Sequence, residues 1–244
     1  GGISGYGPPG SFAVNSLTKE DAEAIGRLST IEVSIPRIIA TLKTEFNNKI
    51  QISAIGSIPE DFAEEIYTLQ DIEAQEGRLI YKGDSGKIAL GDNFANPNNA
   101  FEKAISPGDS LTIDGKKFRV VGISKRKGSF ILDNVVFMLE NDLKNLLNDS
   151  NKIDIIIAQV KNKDLMQAAK EDIENLLRDR RDVKKGQEDF EVSTPEATLA
   201  TVNQILGGVQ AFFAVIAFIS IIVGSLGIIN TMTTSVLERK KEIG

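Results

Sequence analysis

The stretch Ala211–Ile229, AFFAVIAFISIIVGSLGII, decides how this chain is read. It lies inside a charge-free run of about 40 residues, from Ala197 to Leu237. A bilayer's hydrocarbon core needs only about 20 helical residues. A charge-free core helix of this length would be out of proportion in a domain this small, so the run reads as a transmembrane helix. Its start is marked: Thr194 suits the N-cap, Pro195 the first helical position and Glu196 the first turn. A helix from Pro195 to about Glu238 is roughly 65 Å long, about twice the membrane's need. Its first part, with Leu199, Val202, Leu206 and Val209 on one face, is expected to stand outside as a stalk.

The flanks orient it. Glu188, Asp189, Glu191 and Glu196 lie upstream, and Arg239, Lys240 and Lys241 downstream. Positive charge stays in the cytoplasm, so the C-terminus is expected inside and the larger upstream part outside. Within the helix, Ala217, Ser220, Gly224, Gly227 and Thr231 recur every three or four residues. Small residues on one face let another membrane helix approach closely, so these five form a candidate helix-packing surface.

The 194 residues before the helix alternate between strand and helix patterns, giving an α+β fold class. Gly1–Gly10 is rich in Gly and Pro and has no signal-peptide pattern; it reads as a loop within a longer protein. Thr18-Lys19-Glu20-Asp21 resembles a capping box opening a short helix with Ala22, Ile25 and Leu28 on one stripe. Ile31–Phe46 reads as an irregular extended strand containing Pro36, and Ile50–Ile58 as its return across the Asn47-Asn48 turn. Pro59 opens a short helix through Ile66. Lys87–Leu90 reads as a strand and Asn93–Asn99 as a polar loop. Leu111–Ile113 and Lys117–Ser124 form a hairpin across Asp114-Gly115. Ile131–Leu139 reads as another strand, followed by a short helix with Leu143, Leu146 and Leu147. A β-α-β unit closes the domain: strand Ile153–Val160, helix Asp164–Arg181, strand Phe190–Ser193. The expected organisation is a two-lobed domain. Residues 1–76 and 151–194 make a β-α-β lobe, and 77–150 a β-rich inserted lobe. Stalk and transmembrane helix occupy 195–237, and 238–244 start a cytoplasmic segment.

Composition excludes several chemistries. The chain has no histidine and no cysteine, which removes the usual general base, thiol nucleophiles, thiolate zinc sites and disulfides. A formal net charge of −6 and the absence of tryptophan argue against a nucleic-acid partner. Gly83-Asp84-Ser85-Gly86 copies a serine-protease segment and Gly108-Asp109-Ser110-Leu111 a lipase signature. Both chemistries activate serine with a histidine base, so neither is expected to be catalytic. Lys125-Arg126-Lys127 and Arg178 to Lys185 read as solvated turns and helix ends. Asn148-Asp149-Ser150 is a lone glycosylation sequon. No cofactor or metal site is expected.

The run Gly224 to Gly244, ending Glu238-Arg239-Lys240-Lys241-Glu242-Ile243-Gly244, closely resembles the end of the second transmembrane helix of MacB/FtsX-type ABC-transporter permeases. In that family the segment ends in Glu-Arg-x-x-Glu-Ile-Gly and enters the cytoplasm. Four more segments resemble the family's extracytoplasmic core domain: Leu17 to Leu28, Glu76-Gly77-Arg78, Ile105 to Ile123 with its Val-Val-Gly end, and Gln187-Glu188-Asp189-Phe190. The resemblance implies a non-enzymatic permease subunit, homo- or heterodimeric, working with a cytoplasmic ABC ATPase that Glu238 to Gly244 contacts. It implies movement of peptides, lipoproteins or other amphiphiles, or cell-wall remodelling. Because the family has four transmembrane helices, it also implies a fragment, beginning after the family's first domain strand. The competing reading is a single-pass receptor or adhesion module, which needs neither a packing face nor a Glu-Ile-Gly segment.

Overall fold

The computed structural model describes residues 17–149 and 151–243. They form two units, a folded domain up to Val192 and a long helix from Ser193 onward. Gly1–Gly10 lies outside the described residues.

The smaller lobe of the domain joins the two ends of its chain. Helix α1 (Lys19–Gly26) starts with the expected capping box. The Asp21 N–H donates to Thr18 Oγ1 and the Thr18 N–H to Asp21 Oδ2, both at 3.1 Å. Strand β1 (Ile31–Arg37) pairs antiparallel with β9 (Ile155–Val160). Helix α5 (Met166–Arg181) places Ala169, Ile173 and Leu177, four residues apart, on one face against Ile25 and Ile31. Pro36 is tolerated because β1 is an edge strand. Phe190–Ser193 is not a strand, so the expected β-α-β unit stops at its helix. Phe190 and Val192 still pack against the lobe's core. The run is too short for a ladder, because Thr194 is already committed to capping the next helix.

The larger lobe is a closed barrel. Strands β2 (Ile39–Phe46), β3 (Lys49–Ile58), β4 (Ala74–Gly77), β5 (Lys87–Leu90), β6 (Ser110–Ile113), β7 (Lys116–Ser124) and β8 (Val135–Leu139) follow the order β4-β7-β5-β8-β3-β2-β6. Because β6 also pairs with β7, six strands close into a ring and β4 adds outside it. All six ring strands send alternate residues into one core, including Ala40, Ile55, Ile88, Leu111, Val120 and Met138. Phe94, Phe101 and Ile105 of a long loop and Leu143 and Leu146 of helix α4 (Glu140–Leu147) complete that core. Strand β8 is buried throughout, and Val135, Phe137 and Leu139 face a second core under helix α2 (Ala63–Leu69). Both hairpins close with two-residue turns at positive φ: Asn47 and Asn48 at 50° and 57°, Asp114 and Gly115 at 46° and 80°.

Two readings of the sequence change here. Ile131–Leu139 is not one strand: its first residues form the single-turn helix α3 (Phe130–Asp133). Local polar groups supply that turn, since Ser129 Oγ accepts from the Leu132 N–H and Asp133 Oδ1 from the Lys127 N–H. The strand pairing also divides the lobes elsewhere than residue 76. Strands β2 and β3 belong to the barrel, so the chain passes between lobes at Ile38 and again near Ile153. The long run Ile31–Phe46 hides that passage, because β1 and β2 join different sheets with one residue between them.

Candidate functional site

Helix α6 (Pro195–Ile243) has 49 residues and is about 74 Å long at 1.5 Å per residue. Thr194 caps it: Oγ1 accepts the Ala197 N–H at 3.2 Å. It is long and apolar enough to cross a membrane, and its large apolar side chains from Val202 to Val236 stand exposed on every face. At about 100° per residue, Ala217, Ser220, Gly224, Gly227 and Thr231 fall within about 80° of arc. The structure therefore puts all five on one face. A Cβ added at Gly224 or Gly227 meets nothing within 4 Å, so the groove beside them is open. The hydroxyls of Ser220, Ser225, Thr231 and Thr233 each donate to the carbonyl four residues back, at 2.7–2.8 Å. Their polarity is thus satisfied within the helix, as an apolar environment requires. Glu238, Arg239, Lys240, Lys241, Glu242 and Ile243 continue the same helix without a break; Gly244 lies outside the described residues.

A charge network fastens the segment that leads to this helix onto the small lobe. Asp21 is buried and receives Arg180 Nε at 2.9 Å and Arg181 Nη2 at 3.1 Å. Arg181 Nη1 reaches Asp189 Oδ2 at 3.0 Å, and its guanidinium lies 5.9 Å from the Phe190 ring centre. Arg178 holds Glu188 at 2.7 Å and Glu174 at 2.9 Å. Burial alone would raise the Asp21 carboxyl; the hydrogen bonds from Arg180 and Arg181 outweigh it and hold the group below the usual carboxylate range. The capping-box pattern found Asp21, but no spacing in the sequence links it to arginines 159 and 160 residues away. Arg37 was likewise missed. It is buried at the passage between lobes and donates to Ser57 O at 2.8 Å and Gln70 Oε1 at 3.2 Å. Burial lowers it to about 10, so it stays charged at neutral pH.

Two quoted motifs prove to be one contact. Gly77 pairs with Gly122 across β4 and β7. A Cβ on Gly77, at φ 65°, would lie 2.2 Å from Val121 O, and one on Gly122 would lie 2.0 Å from Arg78 O. Both glycines serve the close approach of two backbones. Arg78 then clamps Asp84 with two hydrogen bonds of 2.5 and 2.6 Å, and Lys87 adds a third at 2.8 Å. The Arg78 hydrogen bonds hold the Asp84 carboxyl far below its usual range. The neighbouring serine is also structural: Ser85 Oγ donates to Asp142 Oδ1 at 2.7 Å, between Gly83 and Gly86 at positive φ. Ser110 opens β6. The chain has no histidine to serve either serine as the base that chemistry of the protease or lipase kind requires.

The model of the MacB-like periplasmic core domain matches residues 2–176. The chain belongs to this family. A MacB-like core domain followed by an apolar helix is a membrane protein with its folded domain outside the cytoplasm. The chain is 31% identical over 229 residues to an uncharacterized ABC transporter permease of Methanocaldococcus jannaschii, covering 93% of this chain and 56% of the relative. It is 24% identical over 251 residues to the macrolide export ATP-binding/permease protein MacB of Mannheimia succiniciproducens, covering 99% and 37%. The chain thus spans about half or less of the length of these relatives. The periplasmic region of MacB from Actinobacillus actinomycetemcomitans has the same fold, with TM-score 0.60 and 18% identity over 82% of this chain and 88% of that one. So has the extracellular domain of the noncanonic ABC-type transporter YknZ from Gram-positive bacteria, at 0.55 and 16% over 71% and 90%.

Proposed function

We propose that this chain is part of a MacB/FtsX-type permease subunit that carries the effect of cytoplasmic ATP hydrolysis to its extracytoplasmic domain. The observation that supports this most is the uninterrupted α6, running from the cap at Thr194 through the small-residue face to Ile243. A rigid helix of that length moves at one end when force acts at the other. The segment 195–237 serves as stalk and membrane span, and Glu238 to Gly244 as the cytoplasmic contact with the ATPase. Basic Arg239, Lys240 and Lys241 keep that end inside. The face Ala217–Thr231 packs against a further membrane helix, within the subunit or in a permease dimer.

The ATPase is a separate chain. The relative named a permease alone is 31% identical, whereas the one whose name joins ATP-binding to permease is 24% identical. The cargo class is peptides, lipoproteins or other amphiphiles. The membership established above gives no support to a single-pass receptor or adhesion module. The test is Glu238→Gln with Glu242→Gln in the full-length permease. Insertion and membrane level are expected to stay normal while ATPase stimulation or transport falls. Wild-type coupling at normal membrane level would reject these residues as a coupling contact and leave the basic residues as a membrane anchor.

A further inference from the structure

Among its described residues the folded domain exposes seven large hydrophobic residues, and the strand order places the four most exposed towards one end of the barrel. Ile50, Ile52, Phe130 and Ile131 are 63–83% exposed, while Leu69, Tyr81 and Ile155 are 37–47%. The topology brings the four together. Strand β8 runs parallel to β3 from Ala54↔Val135 onward, so α3, which precedes β8, lies at the end where β3 begins. Helix α3 is fixed in place: Asp133 is buried against Gly91, and Asn134 Nδ2 donates to Phe130 O at 2.8 Å. Phe130 and Ile131 are therefore held out to solvent on a rigid turn.

The backbone beside them is open. The two-residue turn makes Phe46↔Lys49 a hydrogen-bonded pair, so Thr44↔Gln51 and Leu42↔Ser53 are hydrogen-bonded pairs too. Gln51 O accepts Thr44 Oγ1, which agrees with that phase. The N–H and C=O groups of Ile50 and Ile52 then point away from β2. Strand β8 begins to pair with β3 only at Ala54, so among the described residues no strand pairs with this outer edge at Ile50 or Ile52. Their side chains continue the outer face of the barrel, at alternate positions.

We propose that Lys49–Ser53 is a docking edge for an extended polypeptide segment, which adds to β3 as a strand and sets alternate apolar side chains against Ile50, Ile52, Phe130 and Ile131. The unpaired edge decides the occupant. Lipid or a helix would cover the four side chains but leave four backbone groups unsatisfied, whereas an added strand covers both. This inference does not depend on the transport reading.

The experiment uses the full-length protein in nanodiscs and a phage-displayed library of random twelve-residue peptides, counter-selected against the Ile50→Lys, Ile52→Lys variant. Enriched peptides are expected to alternate apolar and polar residues and to slow hydrogen exchange at the Ile50 and Ile52 amides. Methylating alternate peptide nitrogens should weaken binding on the order of tenfold, the effect of one or so lost hydrogen bonds. Ile52→Pro should do the same, because it removes an outward N–H without touching the β2 ladder. Four results would each overturn the proposal: no enrichment over the variant; binding indifferent to methylation and to Ile52→Pro; both amides already protected in the peptide-free protein, as self-pairing or a second copy would produce; or equal protection by lipid vesicles.

Discussion

Arg181→Met tests the network that fastens the end of the domain. The arginine is largely buried, and it bridges Asp21 at 3.1 Å and Asp189 at 3.0 Å with Phe190 beside it. Methionine keeps the stem and its packing but removes the charge-assisted hydrogen bonds to Asp21 and Asp189. Breaking a buried pair costs about 3–5 kcal/mol when the partner is stranded. Here Asp21 keeps Arg180 and the Thr18 N–H, so about 2–3 kcal/mol is expected. For a domain of this size each kcal/mol moves Tm by about 2–4 °C, which predicts a fall of about 4–12 °C. Arg180→Met is the control. Its side chain is 36% exposed and among the described residues its ion pair is with Asp21, so a loss below about 1 kcal/mol is expected. Thermal unfolding of the full chain in detergent, followed by circular dichroism, measures both. If Arg181→Met melts within about 1 °C of wild type, or no lower than Arg180→Met, the network does not hold the segment and the reasoning fails.

Gly122→Ala places a methyl 2.0 Å from Arg78 O, on backbone that cannot swing aside; a loss of about 2–3 kcal/mol is expected from the urea midpoint, and an unchanged midpoint would show that β4 and β7 separate freely. The depressed Asp84 carboxyl stabilises the fold above its unfolded value of 3.8, and that stability is lost as pH falls below it towards the folded value. Asp84→Asn should therefore be less stable than wild type at pH 7, with the gap in urea midpoint starting to narrow as pH falls below 3.8; a gap that stays constant from pH 7 to 3 would assign the effect to packing instead.

The fold is legible in the sequence where one local rule decides a segment. Asn47-Asn48 and Asp114-Gly115 need only their own φ angles to close hairpins, and both did. Thr18 and Thr194 need only the next turn of their helices. The charge-free run needs only its length, because no other element competes for it. The fold is hidden where a distant partner decides. Ile38 marks a crossing between lobes only because β1 finds β9 and β2 finds β3, more than 100 and about 10 residues away. Phe130 to Asp133 is as apolar as a strand start, yet a serine cap and one carboxylate turn it into helix. Of the candidate site, the small-residue face of α6 was legible because helical period alone places it. The Asp21–Arg181–Asp189 network was not, since it joins three places in the chain that share no pattern.

The two units obey opposite rules for their polar groups. In the domain, charges are matched through space by the fold: Asp21 with Arg181, Asp84 with Arg78. In α6 each described hydroxyl between Ser220 and Thr233 is matched by its own helix. A face whose hydroxyls are already bonded gains little from hydrogen bonds to a neighbour. In the packing role we propose for them, what Ala217, Ser220, Gly224, Gly227 and Thr231 offer instead is shallowness, which lets two backbones come close and makes dispersion the main attraction. Their mean spacing of 3.5 residues, against 3.6 in a straight helix, follows a left-handed seam at a small crossing angle. In the coupling role we propose for this helix, a long shallow seam of that kind lets neighbouring helices shift or tilt with few specific bonds to break.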